Sequence, residues 1–230
     1  YKEIEKQDLT GVKMMWLNYP HMPTGTNAKK EHFIRAVAFA KKHDIMLVND
    51  NPYSFILNDN PLSLIETEGA RDVAIELNSL SKTFNMAGWR VGMVVGKGEI
   101  IKSILQVKSN MDSGMFLGIQ KGAVEALNCS KEWFKELNKT YIKRRKIVWE
   151  IFDILGCSYN KESAGLFVWA KLPKGRSAME YTDQLLKEKD VFMTPGSIFG
   201  KNGKDYVRAS LCVSEADLNK VLLRLTGVKQ

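Results

Sequence analysis

Val73-Ala74-Ile75-Glu76-Leu77-Asn78-Ser79-Leu80-Ser81-Lys82-Thr83-Phe84-Asn85-Met86-Ala87-Gly88-Trp89-Arg90-Val91-Gly92-Met93-Val94-Val95 is the stretch on which the fold turns. Two short apolar runs, 73–77 and 91–95, flank a polar loop, and each run predicts a buried strand. Towards the N-terminus, Met14-Met15-Trp16-Leu17 is another apolar run, ending in the turn Asn18-Tyr19-Pro20. Thr26 or Asn27 can cap the helix that follows, in which Phe33, Ile34, Val37, Ala38 and Ala40 recur at helical spacing. Ile45-Met46-Leu47-Val48 then closes a βαβ unit. Continuous apolar strands separated by helices predict a sheet covered on both faces, so this half is α/β.

Towards the C-terminus the pattern turns helical, over 100–107 and 116–127, and a long charged helix covers roughly 131–155. Beyond it lie a strand at 166–170, a helix at 178–188, strands at 191–194 and 206–210, and a helix at 215–225, which make a smaller α+β unit. The expected domains are therefore 1–134 and 135–230, the second including the long interdomain helix. Repeats and low-complexity linkers are absent from the sequence.

Composition excludes several classes. Hydrophobic residues make up 44% and charged residues 26%, as in ordinary globular proteins, and no apolar run is long enough to span a bilayer. The net charge of +8 comes from lysines scattered in pairs and interleaved with glutamates, without a zinc-finger, RNA-recognition or basic-zipper signature, so no nucleic-acid partner is expected. Cys129, Cys157 and Cys212 form no metal-binding spacing and suggest buried thiols in a reducing cytoplasm. His32 and His43 would share a helix face about 16 Å apart, too far for one ion, so no metal is expected.

Each loop that follows an apolar strand in the first half carries unusual polar residues, and open α/β sheets bind ligands outside the carboxyl ends of their strands. The loop Ser79–Gly92 resembles the lysine motif of the class I/II aminotransferases, the fold-type-I enzymes that use pyridoxal phosphate. The spacing of serine, lysine and arginine matches, as does the run Ala87-Gly88-Trp89-Arg90-Val91-Gly92. The resemblance implies that Lys82 forms the Schiff base with pyridoxal phosphate and moves the proton at the substrate Cα, and that Ser79 and Arg90 bind the cofactor phosphate. The chemistry agrees: a lysine nucleophile must lose its proton, and an arginine fork suits a phosphate.

Val48-Asn49-Asp50-Asn51-Pro52-Tyr53 resembles the Asp-x-x-Tyr element of the same family. Asp50 would pair with the pyridine nitrogen and Tyr53 with the phenolic oxygen of the cofactor; read without the family, the segment is a polar turn. Asn18-Tyr19-Pro20-His21-Met22-Pro23-Thr24-Gly25 is similar to the family's Asn-Pro-Thr-Gly turn, but Met22 stands where an asparagine is usual. A thioether cannot donate a hydrogen bond, which shifts the tuning of the cofactor towards Tyr53. Tyr206-Val207-Arg208-Ala209-Ser210 is similar to the small-domain strand whose arginine, here Arg208, clamps the substrate α-carboxylate. Pro195-Gly196-Ser197-Ile198-Phe199-Gly200 matches a further family stretch that lines the site.

The resemblance thus implies a PLP-dependent-transferase-like α/β large domain, with an incomplete, mostly parallel sheet and flanking helices, plus a small C-terminal α+β domain. It implies transfer of an amino group between an amino acid and a 2-oxo acid, in a cytoplasmic homodimer that binds no membrane. The same lysine, aspartate and tyrosine roles serve a C–S lyase or eliminase, and an aminotransferase-like domain also serves as a pyridoxal-phosphate sensor in transcriptional regulators. The family's N-terminal arm, Gly/Ser phosphate turn and ring-stacking aromatic are not identifiable in this sequence, so the resemblance is to the C-terminal portion of such an enzyme.

Overall fold

The computed structural model describes residues 1–227, which form two compact units. The first comprises Tyr1–Pro20 and Asn27–Lys131; the second comprises His21–Thr26 and the chain from Glu132 onward.

The first unit is built as β1 (Met14–Asn18), α1 (Lys30–His43), β2 (Met46–Asp50), α2 (Ala70–Val73), β3 (Ala74–Ser79), α3 (Leu80–Thr83), β4 (Gly92–Gly96), α4 (Gly98–Met111) and α5 (Leu117–Leu127). Its sheet has the order β1-β2-β3-β4, with the first three strands parallel and β4 antiparallel to β3. The sheet is therefore mostly parallel and the unit α/β, as the apolar runs predict. On α1, the residues at helical spacing Phe33, Ala36, Val37 and Ala40 pack with Leu47 of β2, Ala74 of β3 and Leu64 to form the core. Val48 and Ile75 point to the opposite face by strand alternation and are buried there too.

Cover on both faces holds for β2 and β3 and fails at the edge. Trp16 of β1 is 62% exposed, although it lies opposite the buried Val48. The sequence period identifies β1 as a strand, but only its neighbours decide how far the cover extends. In the same way α4 and α5 bury no side chain.

The start of α1 also differs from the sequence reading. Thr26 is engaged in the preceding turn, where its carbonyl accepts from the His21 N–H at 2.9 Å and its hydroxyl meets that of Thr24 at 2.8 Å. The helix begins later, and the Lys29 N–H is satisfied by the His32 ring nitrogen at 3.3 Å.

The second unit comprises α6 (Lys131–Ile154), β5 (Ser158–Tyr159), β6 (Phe167–Lys171), α7 (Ala178–Lys189), β7 (Thr194–Pro195), β8 (Tyr206–Ser210) and α8 (Glu215–Thr226). All its strand pairs are antiparallel, in the order β5-β6-β8-β7. Val148, Ile151 and Phe152 of α6, Val168 and Ala170 of β6 and Val207 of β8 supply its core. The strand expected at 191–194 shrinks to the two residues of β7. Val191 and Met193 do alternate inward around the exposed Phe192, but the ladder to β8 starts only at Thr194.

The expectation of three buried thiols holds for one. Cys157 is buried, and burial pushes its thiol up to about 11, whereas Cys129 is half-buried and Cys212 exposed. No helix among the described residues is long and apolar enough to cross a membrane.

Candidate active site

Because β1, β2 and β3 run parallel and β4 antiparallel, the last residues of the first three strands and the residues that enter β4 share one edge of the sheet. Asn18, Asp50 and Ser79 are those last residues, and Arg90 stands two positions before β4. Asp50 lies opposite Leu77, two residues before Ser79, so alternation places Asp50 and Ser79 on the same face. The edge is held by one backbone and one side-chain bond: the Asn51 N–H donates to the Leu77 carbonyl at 2.8 Å, and the Asn18 side-chain amide donates to the Asp50 carbonyl at 2.8 Å. Tyr53 follows on the buried turn after β2.

The lysine loop is shaped by what lies beneath it. Leu80, Met86 and Val91 are buried together against Ile119, Ala123 and Ala126 of α5, which anchors both ends of the loop. Ser79 Oγ accepts from the Ser81 N–H at 3.1 Å and so caps α3, leaving its own proton to donate. Lys82 sits half-buried on α3, and its ammonium has no hydrogen bond or ion pair among the described residues. Arg90 is exposed in the left-handed region, φ 54°, with Nη1 donating to the Ala87 carbonyl at 3.0 Å. A side chain there costs about 1 kcal/mol.

Burial raises the Asp50 carboxyl above its ordinary range, and Asp50 forms no ion pair among the described residues. A partly desolvated carboxylate without a cation, at the same sheet edge as a hydroxyl donor and the loop that carries an unengaged lysine, fits a ligand that carries a protonated ring nitrogen, a carbonyl and a phosphate. The stability consequence follows from the sign of the shift. The folded chain holds the Asp50 proton more tightly than the unfolded chain, so a penalty appears as pH rises above the reference 3.8 and is absent below it. Asp50→Asn should therefore raise the melting temperature of the cofactor-free protein at pH 7, and the gain should vanish in melts near that reference value.

The turn carrying Met22 belongs to the second unit. The Ala164 N–H donates to the Gly25 carbonyl at 2.8 Å, and a Cβ at Gly25 (φ +69°) would fall 2.6 Å from the Ala164 carbonyl oxygen. Gly25→Ala should destabilise the fold by roughly 2–4 kcal/mol, read as a lower urea midpoint with an unchanged m-value. Burial holds His21 below its ordinary range, and its ring meets the Thr24 hydroxyl at 2.8 Å.

In the same unit Arg208 occupies an inner strand, opposite Trp169 of β6 and Thr194 of β7. Its guanidinium lies 4.0 Å from the Phe167 ring centre and 4.6 Å from that of Phe199, and Nη1 approaches Met22 Sδ at 3.3 Å. Asp50, Tyr53, Ser79, Lys82 and Arg90 thus stand on the first unit and Arg208 on the second. Sequence reasoning missed Phe167 as a partner of Arg208, and it missed Glu76, a charged residue inside an apolar strand. That incongruity was the available signal. A groove of about 580 Å³, lined by Phe33, Ile34, Val37 and Leu62 among others, shares no residue with this set.

Comparison with known proteins identifies the family. The profile of the family "Aminotransferase class I and II" matches residues 1–225. LL-diaminopimelate aminotransferase of Maridesulfovibrio salexigens is 40% identical over 93% of the chain and 56% of its own length, and that of Dehalococcoides mccartyi is 37% identical over 100% and 60%. The chain spans under two thirds of the length of these relatives. Among solved structures, apo-BacF from Bacillus subtilis superposes with a TM-score of 0.90 at 36% identity, over 100% of this chain and 62% of its own. The aromatic aminotransferase of Pyrococcus horikoshii does so with 0.88 at 29%, over 99% and 62%. With the family profile matched over residues 1–225 and relatives up to 40% identical along almost its whole length, the chain belongs to the class I and II aminotransferase family.

Proposed function

We propose that the protein is a pyridoxal-phosphate-dependent aminotransferase that moves an amino group between an amino acid and a 2-oxo acid. The observation that carries this reading is the gathering of Asp50, Ser79, the Lys82 loop and Arg90 at the carboxyl edge of one sheet, with the Lys82 amine unengaged. Pyridoxal phosphate, when bound, supplies an electron sink for negative charge at the substrate Cα. Asp50 keeps the ring nitrogen protonated and is itself relieved of its burial penalty. Tyr53 donates to the phenolic oxygen. Ser79, with its hydroxyl proton to spare, and Arg90, with its fork of N–H groups, hold the phosphate. Lys82 anchors the cofactor covalently, then takes the Cα proton and returns it one carbon away. Arg208 pairs with the substrate α-carboxylate. The working form is a cytoplasmic homodimer.

The test is borohydride reduction of the protein loaded with pyridoxal phosphate, followed by peptide mapping. The pyridoxyl label is expected on Lys82, and a label elsewhere would sink the assignment. Incubation with an amino acid alone should accumulate pyridoxamine phosphate; pyruvate and ammonia in its place would mean an eliminase. The shared name of the relatives makes LL-diaminopimelate the amino donor to assay first.

A further inference from the structure

Glu76 is a carboxylate at the middle of β3 with only 3% of its surface exposed, and it forms no ion pair among the described residues. Isolated buried carboxylates are unfavourable unless donors surround them. Five do. Oε2 accepts from the Asn49 amide at 2.9 Å and the Leu64 N–H at 2.8 Å; Oε1 accepts from the Ser63 hydroxyl at 3.0 Å and from the Asn51 and Asn78 amides at 3.3 Å each. Asn49 and Asn51 are themselves 0% and 4% exposed, and their amide oxygens meet no partner among the described residues. Glu76 is thus the group that holds both side-chain amides.

These two asparagines flank Asp50. Asn49 lies opposite Glu76 in the ladder, so both point to the α1 side of the sheet, while Asp50 points to the other face. We propose that Glu76 is a positioning residue for Asp50: from the far side of the sheet it clamps the residues on either side and thereby fixes the direction of the cofactor-facing carboxylate. It also ties that strand end to the segment 63–64, which is 12 residues away in sequence. The proposal rests on the reading of Asp50 as the partner of the ring nitrogen, and its test separates the two.

In cofactor-free protein, amide hydrogen exchange over residues 49–53 should accelerate by at least about tenfold in Glu76→Gln, whose amide turns a donor towards other donors, while α1 and the second unit stay unchanged. Asn51→Ala, which leaves the other four bonds to Glu76 in place, should accelerate 50–53 but not 63–65. Wild-type exchange at 49–53 in either variant would overturn the proposal, and so would acceleration spread evenly through both units, the mark of a purely structural role. Should Glu76→Gln fail to fold, Asn51→Ala decides by the same criterion. With pyridoxal phosphate bound, Glu76→Gln should weaken affinity about tenfold and move the pH midpoint of the visible band in the same direction as Asp50→Ala, though less far. An Asp50→Ala protein with an unchanged band would overturn the reading of Asp50, whereas the exchange data on cofactor-free protein judge the clamp separately.

Discussion

Lys82→Ala should lose about 10³- to 10⁴-fold in kcat, because it removes the group that transfers the proton at the substrate Cα. The borohydride label should vanish with it. The fold should survive: Lys82 is half-buried and its ammonium has no partner among the described residues, so the substitution touches no cavity, cap or ion pair. Surface changes of that kind stay within about 0.5 kcal/mol, and urea unfolding should overlay the wild-type curve. Lys82→Arg should be as inactive as the alanine variant, since a guanidinium stays charged and can neither attack a carbonyl nor accept the Cα proton. Activity in Lys82→Arg above about a hundredth of wild type would remove Lys82 from the mechanism.

Arg208→Gln should lower kcat/KM by about 100-fold, in keeping with hydrogen bonds to charged groups at about 1.5–3 kcal/mol, and much of the loss should appear in KM. Two aromatic rings and a thioether surround the guanidinium, at 4.0 and 4.6 Å from the ring centres and 3.3 Å from Met22 Sδ. These contacts hold the planar fork in one orientation. Arg208→Lys should not rescue, because a point charge neither stacks between the rings nor pairs through two parallel bonds. An amine lacking the α-carboxylate should react equally poorly with wild type and variant. If the variant discriminates against that amine as strongly as wild type does, Arg208 does not bind the carboxylate.

Much of this was readable from local sequence. The βαβ start and the four strands of the first sheet follow from apolar runs and from the helical spacing on α1, where Phe33, Val37 and Ala40 are buried and Ile34 and Ala38 are exposed. The edge that gathers Asp50, Ser79 and Arg90 follows from strand direction, since ligand loops lie at carboxyl ends. Where local reading failed, a partner distant in sequence was responsible. Thr26 is a good capping residue, yet its hydroxyl and carbonyl are occupied within the turn, so α1 starts after Lys29. Residues 191–194 alternate like a strand, but pairing to β8 begins only at Thr194.

The sequence by itself determined the element types and the α/β character of the first half, because periodicity is a local property, and its resemblance to a family supplied the candidate residues for a phosphate and an aldehyde. The tertiary structure alone decided three further matters. It buried Glu76 among five donors, four of them 12 to 27 residues away, and it assigned residues 21–26 to the second unit through the bond from Ala164 to Gly25. It also set Arg208 against the rings of Phe167 and Phe199. Each depends on which remote groups share a low-dielectric interior, where an unpaired charge or amide is unfavourable and partners are chosen by proximity in space.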